Sequence, residues 1–154
     1  MHEPILYQSQ IKDVQFGERV KVVEPVNMYG CSIGAGTFVG PFCEIQKNVN
    51  IGANSKIQSH TFICEFVTVG ANCFIGHGVM FINDLFQEGG PAGGDQTKWK
   101  STQIGNHVSI GSNATILPVQ ICDGVVIGAG SVVAKDITEK GIYAGNPAKK
   151  IRSL

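Results

Sequence analysis

IGAGTFVGPFCEIQKNVNIGANSKIQSHTFICEFVTVGANCFIGHGVMF, residues 33–81, keeps one rhythm throughout. An aliphatic side chain returns at every sixth position, at Ile33, Val39, Ile45, Ile51, Ile57, Ile63, Val69 and Ile75, and Phe81 takes the ninth beat. Four residues after each of the first eight stands a small or β-branched residue: Thr37, Cys43, Val49, Ser55, Thr61, Val67, Cys73 and Val79. A period of six suits neither a helix at 3.6 nor a free strand at 2. It suits a short strand plus a corner, with the aliphatic pointing inward, the small residue filling the taper and Gly, Asn or Asp making the turn. Three such sides close a triangular coil of 18 residues. One coil cannot stand alone. A hexad buries about one large aliphatic, worth roughly 1.5–3 kcal/mol, whereas ordering its backbone costs on the order of 6–12 kcal/mol. Stacked coils, with ladder hydrogen bonds and a continuous interior, close that gap.

Outward from this stretch the beat weakens and then resumes. Irregular early hexads stand at Val14, Val20 and Val26; later ones at Ile104, Ile110 and Ile116, then, after a slip of one, at Ile121, Ile127 and Val133. The whole is about six coils of an all-β parallel β-helix, a single domain over residues 1–154. Residues 1–30 form a capping start, 82–103 a protruding loop and 137–154 a short closing segment. Capping matters because an open coil edge invites strand addition. Twelve basic and twelve acidic residues balance, which removes the broad electrostatic case for nucleic acid or an anionic membrane. No apolar run approaches the roughly 18 residues of a membrane span, and the N-terminus lacks a signal peptide's layout; the chain reads as soluble and cytoplasmic. Its five cysteines include no C-x-x-C and read as reduced thiols. Cys31, Cys43 and Cys73 hold the inward small position, and Cys64 and Cys122 fall on corners.

Between Phe81 and Ile104 lie 22 residues where a regular hexad leaves five. A surplus of that size is functional or disordered. Its Gly-rich part suits a tolerated insertion, but it ends in Thr97-Lys98-Trp99-Lys100, and an aromatic bracketed by lysines can cover a pocket and meet phosphate. Repeat arithmetic puts His60 and His77 on one side of the prism in neighbouring coils, with Asn83 and Asp84 on the next side where the loop departs. Each has a plain alternative: a His hydrogen-bonds a corner carbonyl, and Asn-Asp makes a turn. His107 lies on another side. Because a β-helix exterior is flat, a deep site needs two prisms side by side, which asks for an oligomer.

The hexad pattern resembles the hexapeptide-repeat acyltransferases, over about residues 14–150; the left hand of the β-helix is what that resemblance implies, since general crossover chirality would give the opposite. Within them, Gly76-His77-Gly78-Val79-Met80-Phe81-Ile82-Asn83-Asp84 is similar to the motif of the sugar-nucleotide N-acetyltransferases. The Gly-Gly-Pro-Ala and Trp99-Lys100 that follow resemble the branch acting on dTDP-linked 3-amino-3,6-dideoxyhexoses. The resemblance implies a homotrimer with sites between subunits, acetyl-CoA as co-substrate, and a product used in surface glycan or lipopolysaccharide assembly. On it, His77, Asn83 and Asp84 are the catalytic candidates, and His60, Phe81, Trp99 and Lys100 the substrate-binding ones.

N-acetylation needs an uncharged amine, a thioester carbonyl at attack distance and a destination for a proton. His77 is the first candidate near the amine; water or the departing thiolate can also take the proton, leaving positioning as the main term. For the co-substrate, Ser112, Ala114, Ala129 and Ser131 offer a small-residue ridge on which a pantetheine arm can lie, although they are equally good corners. Pro118 marks the one-residue slip, read as a bulge beside that groove. The ending Tyr143 to Arg152 resembles the segment that closes over coenzyme A, with Asn146, Pro147, Lys149, Lys150 and Arg152 as candidates; three cations within four residues fit phosphates by charge, and a solvated basic tail is the alternative. A carbonic-anhydrase-type zinc site uses the same prism, but it needs three converging His and a close pair on one coil; here Ile82 stands at the fifth position after His77. No metal is therefore expected. A non-catalytic scaffold leaves the loop together with Asn83-Asp84 unexplained.

Overall fold

A computed structural model describes residues 2–154. Each hexad becomes a strand of two or three residues and a tight corner, and strands one coil apart pair in parallel at a step of 18 wherever the period is intact, as Ile57 does with Ile75. Three faces result. The first holds Ile11–Lys12, Asn27–Tyr29, Glu44–Ile45, Phe62–Ile63, Met80–Phe81, Thr115–Ile116 and Val132–Val133. The second holds Gln15–Phe16, Ser32–Ile33, Asn50–Ile51, Val67–Val69, Thr102–Ile104 and Gln120–Ile121. The third runs from Lys21–Val22 through Phe38–Val39, Lys56–Ile57, Phe74–Ile75, Ser109–Ile110 and Val126–Ile127 to Ile142–Gly145, on which Ala148–Arg152 folds back antiparallel.

The prism is a left-handed β-helix of about seven turns, one more than the hexad count. The extra turn comes from the ends. Ile11–Lys12 already pairs with Met28–Tyr29, so residues 11–30 are a full coil, and Ile142–Gly145 adds a last rung beyond the aliphatic beat. The only helical segment among the described residues is a single 3-10 turn, Gln96–Lys98, in the loop. No helix among them is long and apolar enough to cross a membrane.

The interior is a stack of the hexad aliphatics: Ile45, Ile57, Ile63, Ile75, Ile110 and Ile116 are fully buried. At the taper the small residues use their polar atoms on the next coil. Thr37, Ser55 and Thr61 donate their hydroxyls to the carbonyls of Gly52, Gly70 and Gly76 at 2.9–3.0 Å, which satisfies groups that would otherwise be costly to bury.

The same inward geometry corrects three site assignments. Phe81 (1% exposed), Ala114 (0%) and Ser131 (1%) occupy inward positions of their hexads, so their side chains belong to the core and cannot meet a ligand on the outer surface. Cys64 also turns out buried, and burial pushes its thiol up to about 12 and that of Cys31 to about 11. All five cysteines are free thiols.

Candidate functional site

The corner joining the third face to the first is a histidine ridge. Strand register stacks its residues coil upon coil: Pro41, Ser59, His77, Ser112 and Ala129, then Gly145 in the C-terminal ribbon. Backbone bonds lock the column: the Gly78 N–H donates to the Ser59 carbonyl at 3.0 Å, that of Asn113 to His77 at 2.8 Å and that of Gly130 to Ser112 at 2.8 Å. Gly76 is required here, because a Cβ would stand 2.7 Å from the Ser112 nitrogen. The exposed His77 ring is fixed by a 2.9 Å hydrogen bond between its Nδ1 and Ser59 Oγ; Nε2 has no partner among the described residues. One and two coils below, His60 and Phe42 stack at 4.9 Å between ring centroids. Both hold φ above +60°, a region that Asn or Gly fills at less cost than a bulky ring.

The arrangement therefore brings His60, His77, Ser112 and Ala129 onto one ridge. The tip of the C-terminal ribbon, Gly145 to Pro147, stands at its upper end, held by a Gly145 N–H bond to Ser131 Oγ at 3.2 Å. The cations of that ribbon do not converge as their spacing suggested. In an extended strand alternate side chains take opposite sides, so Lys149 parts from Lys150 and Arg152. Lys150 is moreover paired with Glu139.

The corner joining the first face to the second is the loop ridge. Asn83 marks the loop's departure: its carbonyl accepts the Lys100 N–H at 2.9 Å, closing the loop's neck, and its side-chain amide donates to the Glu65 carbonyl at 3.3 Å. Asp84 spends its carboxylate inside the loop, accepting the N–H of Phe86 at 2.9 Å and of Ala92 at 2.7 Å. It is a loop organiser, beside a cleft of about 190 Å³ that Glu88, Pro91 and Lys98 also line. Trp99 packs on Phe66 at 6.3 Å, and Lys100 is exposed. Within the loop, hydrogen bonds from Thr97 hold the Asp95 carboxyl below its usual range. Pro118 lies on this ridge and not beside the small-residue column, because the shortened corner falls between Ile116 on the first face and Ile121 on the second.

Five residues of chain separate His77 from Asn83, and the first face lies between their ridges. Within one chain the two groups do not meet. His107 stands on the third corner, and no three metal-ligating side chains gather among the described residues. Sequence reasoning passed over Glu65, which is buried at the loop ridge. Its signal was available, since Lys47 precedes it by one coil of 18 and their charges lie 3.7 Å apart.

The outer rows of the faces differ in kind. The second presents Gln15, Ser32, Asn50, Thr68, Gln103 and Gln120, all polar and uncharged. The first and third, flanking the histidine ridge, are mixed: Phe62, Met80, Phe38 and Phe74 stand among Glu44, Thr115, Lys21, Lys56 and Ser109, and Met80 and Phe74 are 42% and 41% exposed.

Two family profiles match the chain, "Bacterial transferase hexapeptide (six repeats)" over residues 30–65 and "Hexapeptide repeat of succinyl-transferase" over residues 101–135. Among solved structures, a point mutant of AntD, an N-acyltransferase from Bacillus cereus in complex with dTDP and coenzyme A, superposes with a TM-score of 0.78 at 28% identity, over 90% of this chain and 82% of that one. A point mutant of perosamine N-acetyltransferase from Caulobacter crescentus, in complex with CoA and GDP-perosamine, gives a TM-score of 0.62 at 22% identity over 92% and 57% of the two chains, a likeness of fold. The bifunctional protein GlmU of Nocardia farcinica is 29% identical over 94% of this chain and 31% of its own length. The chain thus spans about a third of the curated relatives it matches.

Proposed function

We propose that the chain, two stretches of which match hexapeptide-repeat transferase profiles, is an acetyl-CoA-dependent N-acetyltransferase acting on a nucleotide-linked amino sugar, namely a dTDP-linked 3-amino-3,6-dideoxyhexose. The observation that carries this reading is the histidine ridge. An exposed imidazole, oriented by Ser59, continues into a column of small residues that ends at the C-terminal ribbon. A thin pantetheine arm fits along Ser112 and Ala129, with its thioester at His77 and its phosphates toward the C-terminal ribbon, where Lys149 and Arg152 offer one cation on each side of the strand.

In this site the uncharged amine attacks the thioester carbonyl, the C–N bond forms as the C–S bond breaks, and coenzyme A leaves as its thiolate. Nε2 of His77 takes the amine's proton, with Ser59 on Nδ1 fixing the ring; the departing thiolate is the other acceptor, and the positioning of amine and thioester then supplies the rate. The amino sugar is held by the Asn83 side chain, Trp99 and Lys100.

Because His77 and Asn83 lie on different ridges of one chain, the complete site takes His77 from one subunit and the loop ridge of its neighbour. The homotrimer this reading calls for is supported by the exposed apolar side chains Met80 and Phe74 that flank the histidine ridge, set against the polar outer row of the second face. The AntD neighbour, bound to dTDP and coenzyme A, supports the choice of nucleotide and co-substrate. Such substrates place the work in the cytoplasm, with the product passing to surface glycan assembly.

The test incubates purified protein with acetyl-CoA and a panel of dTDP- and UDP-amino sugars, following thiol release and acetylation of the sugar. Amide formation on a dTDP-linked 3-amino sugar, unchanged by a zinc chelator, is expected. No thiol release across the panel, or ester formation at a hydroxyl, overturns the reading.

A further inference from the structure

Glu65 is the one charged residue buried among the described residues, at 7% exposure. A carboxylate taken from water needs partners, and each of its oxygens has one. Lys47 Nζ lies 3.7 Å from Oε1, and the Gln96 side-chain amide donates to Oε2 at 3.3 Å. Lys47 belongs to the coil below and Gln96 to the returning limb of the loop. The backbone at the same corner takes up the rest: the Glu65 carbonyl accepts the Asn83 amide at 3.3 Å, the Phe66 carbonyl accepts the Thr102 N–H at 3.1 Å, and the Phe66 ring meets Trp99. Phe66 holds φ at +68°, the corner conformation that Gly30 and Asn48 take one above the other in the coils below, and one costly for a bulky side chain. Two adjacent residues therefore grip both ends of the loop.

Fold stability alone does not explain a charge at this place. The Lys47 side chain is 45% exposed, so the ion pair returns little against the desolvation of the carboxylate. What the carboxylate adds is a hydrogen bond from the prism to Gln96 on the loop's returning limb. We infer that Glu65 is a positioning residue of the site: it ties the returning limb to the loop ridge and so sets where Trp99 and the Asn83 amide stand toward the substrate. It acts through those two groups and touches neither amine nor thioester.

Trp99 is the sole tryptophan, so its emission reports the loop with no substrate present. Glu65→Ala and Gln96→Ala should each shift the emission to the red and raise quenching by acrylamide. The double variant should change no more than the larger single one, because both remove the same contact. Glu65→Gln keeps an oxygen for Gln96 and should retain the wild-type spectrum. The kinetic arm rests on the transferase reading: Gln96→Ala should lower kcat/KM for the amino sugar by about ten- to a hundredfold and leave KM for acetyl-CoA unchanged, the histidine ridge being untouched. Unchanged emission in Gln96→Ala, or shifts that simply add in the double variant, overturns the inference. Gln96 is exposed, so its variant carries the test even where Glu65→Ala does not fold. Should the wild type acetylate no sugar, the transferase reading fails, while the fluorescence arm still decides the role of Glu65.

Discussion

Residues 33–81 bury Ile45, Ile57, Ile63 and Ile75 completely, whereas the adjoining loop, residues 82–101, fully buries no side chain. The coils are ordered from inside, by aliphatic stacking and ladder bonds at every rung. The loop is ordered from its edges: Lys100 on Asn83 at the neck, Asp84 on two amides, Gln96 on Glu65, Trp99 on Phe66. Fold and chemistry are thus kept apart. On the proposed reading, a change inside the prism should act on stability, and a change on a ridge or in the loop on the reaction. The exposed groups available for that reaction stand on two ridges, each held by the rigid wall behind it.

The separation can be tested from both sides. Ile75→Asp should have the largest effect. It places an unpaired carboxylate at a fully buried rung, a cost of several kcal/mol, and thermal or urea unfolding should show a large loss of stability or no folded protein. His77→Ala should come next, lowering kcat by about a hundredfold through loss of the proton acceptor while the melting temperature stays near that of the wild type. If the thiolate alone takes the proton, the loss will be far smaller, and the kcat ratio decides between the two. Asn83→Ala should lower kcat/KM for the amino sugar by about tenfold, again with little change in melting; unchanged acetylation would mean that the site is misplaced. The smallest effect is a labelling pattern. Under native conditions at about pH 8, iodoacetamide should modify Cys122, the one cysteine not buried, before Cys31 or Cys64, whose burial holds them as unreactive thiols. Rapid labelling of Cys64 would contradict the closed corner beside Glu65.

The coils were legible in the sequence because each inward position announces itself: Ile33 through Ile75 at six-residue steps needs no tertiary information. The same arithmetic places His60 and His77 on one ridge, since 18-residue coils carry register from one turn to the next. It also marks Phe81, Ala114 and Ser131 as inward; reading Phe81 as a ligand contact set motif resemblance, and reading Ala114 and Ser131 so set small size, above the period that already assigned them. Pro118 was misplaced because the five-residue spacing moves a corner without saying which one. The loop was legible only as an interruption. Gln96 meeting Glu65 and Asp84 turning onto Phe86 and Ala92 arise from a chain path without period, so no spacing could foretell them. The lysines of the C-terminal ribbon were counted by proximity in sequence, and strand alternation then separated them.

The central claim is that His77 of one subunit works with Asn83 of the next. Co-expression of His77→Ala and Asn83→Ala subunits, assayed at low amino-sugar concentration, tests it most directly. Each variant alone should keep about a tenth of the wild-type rate or less. Every mixed trimer contains one junction with both groups intact, so random assembly should restore roughly a quarter of that rate. A mixture no more active than its parents would contradict a site shared between subunits.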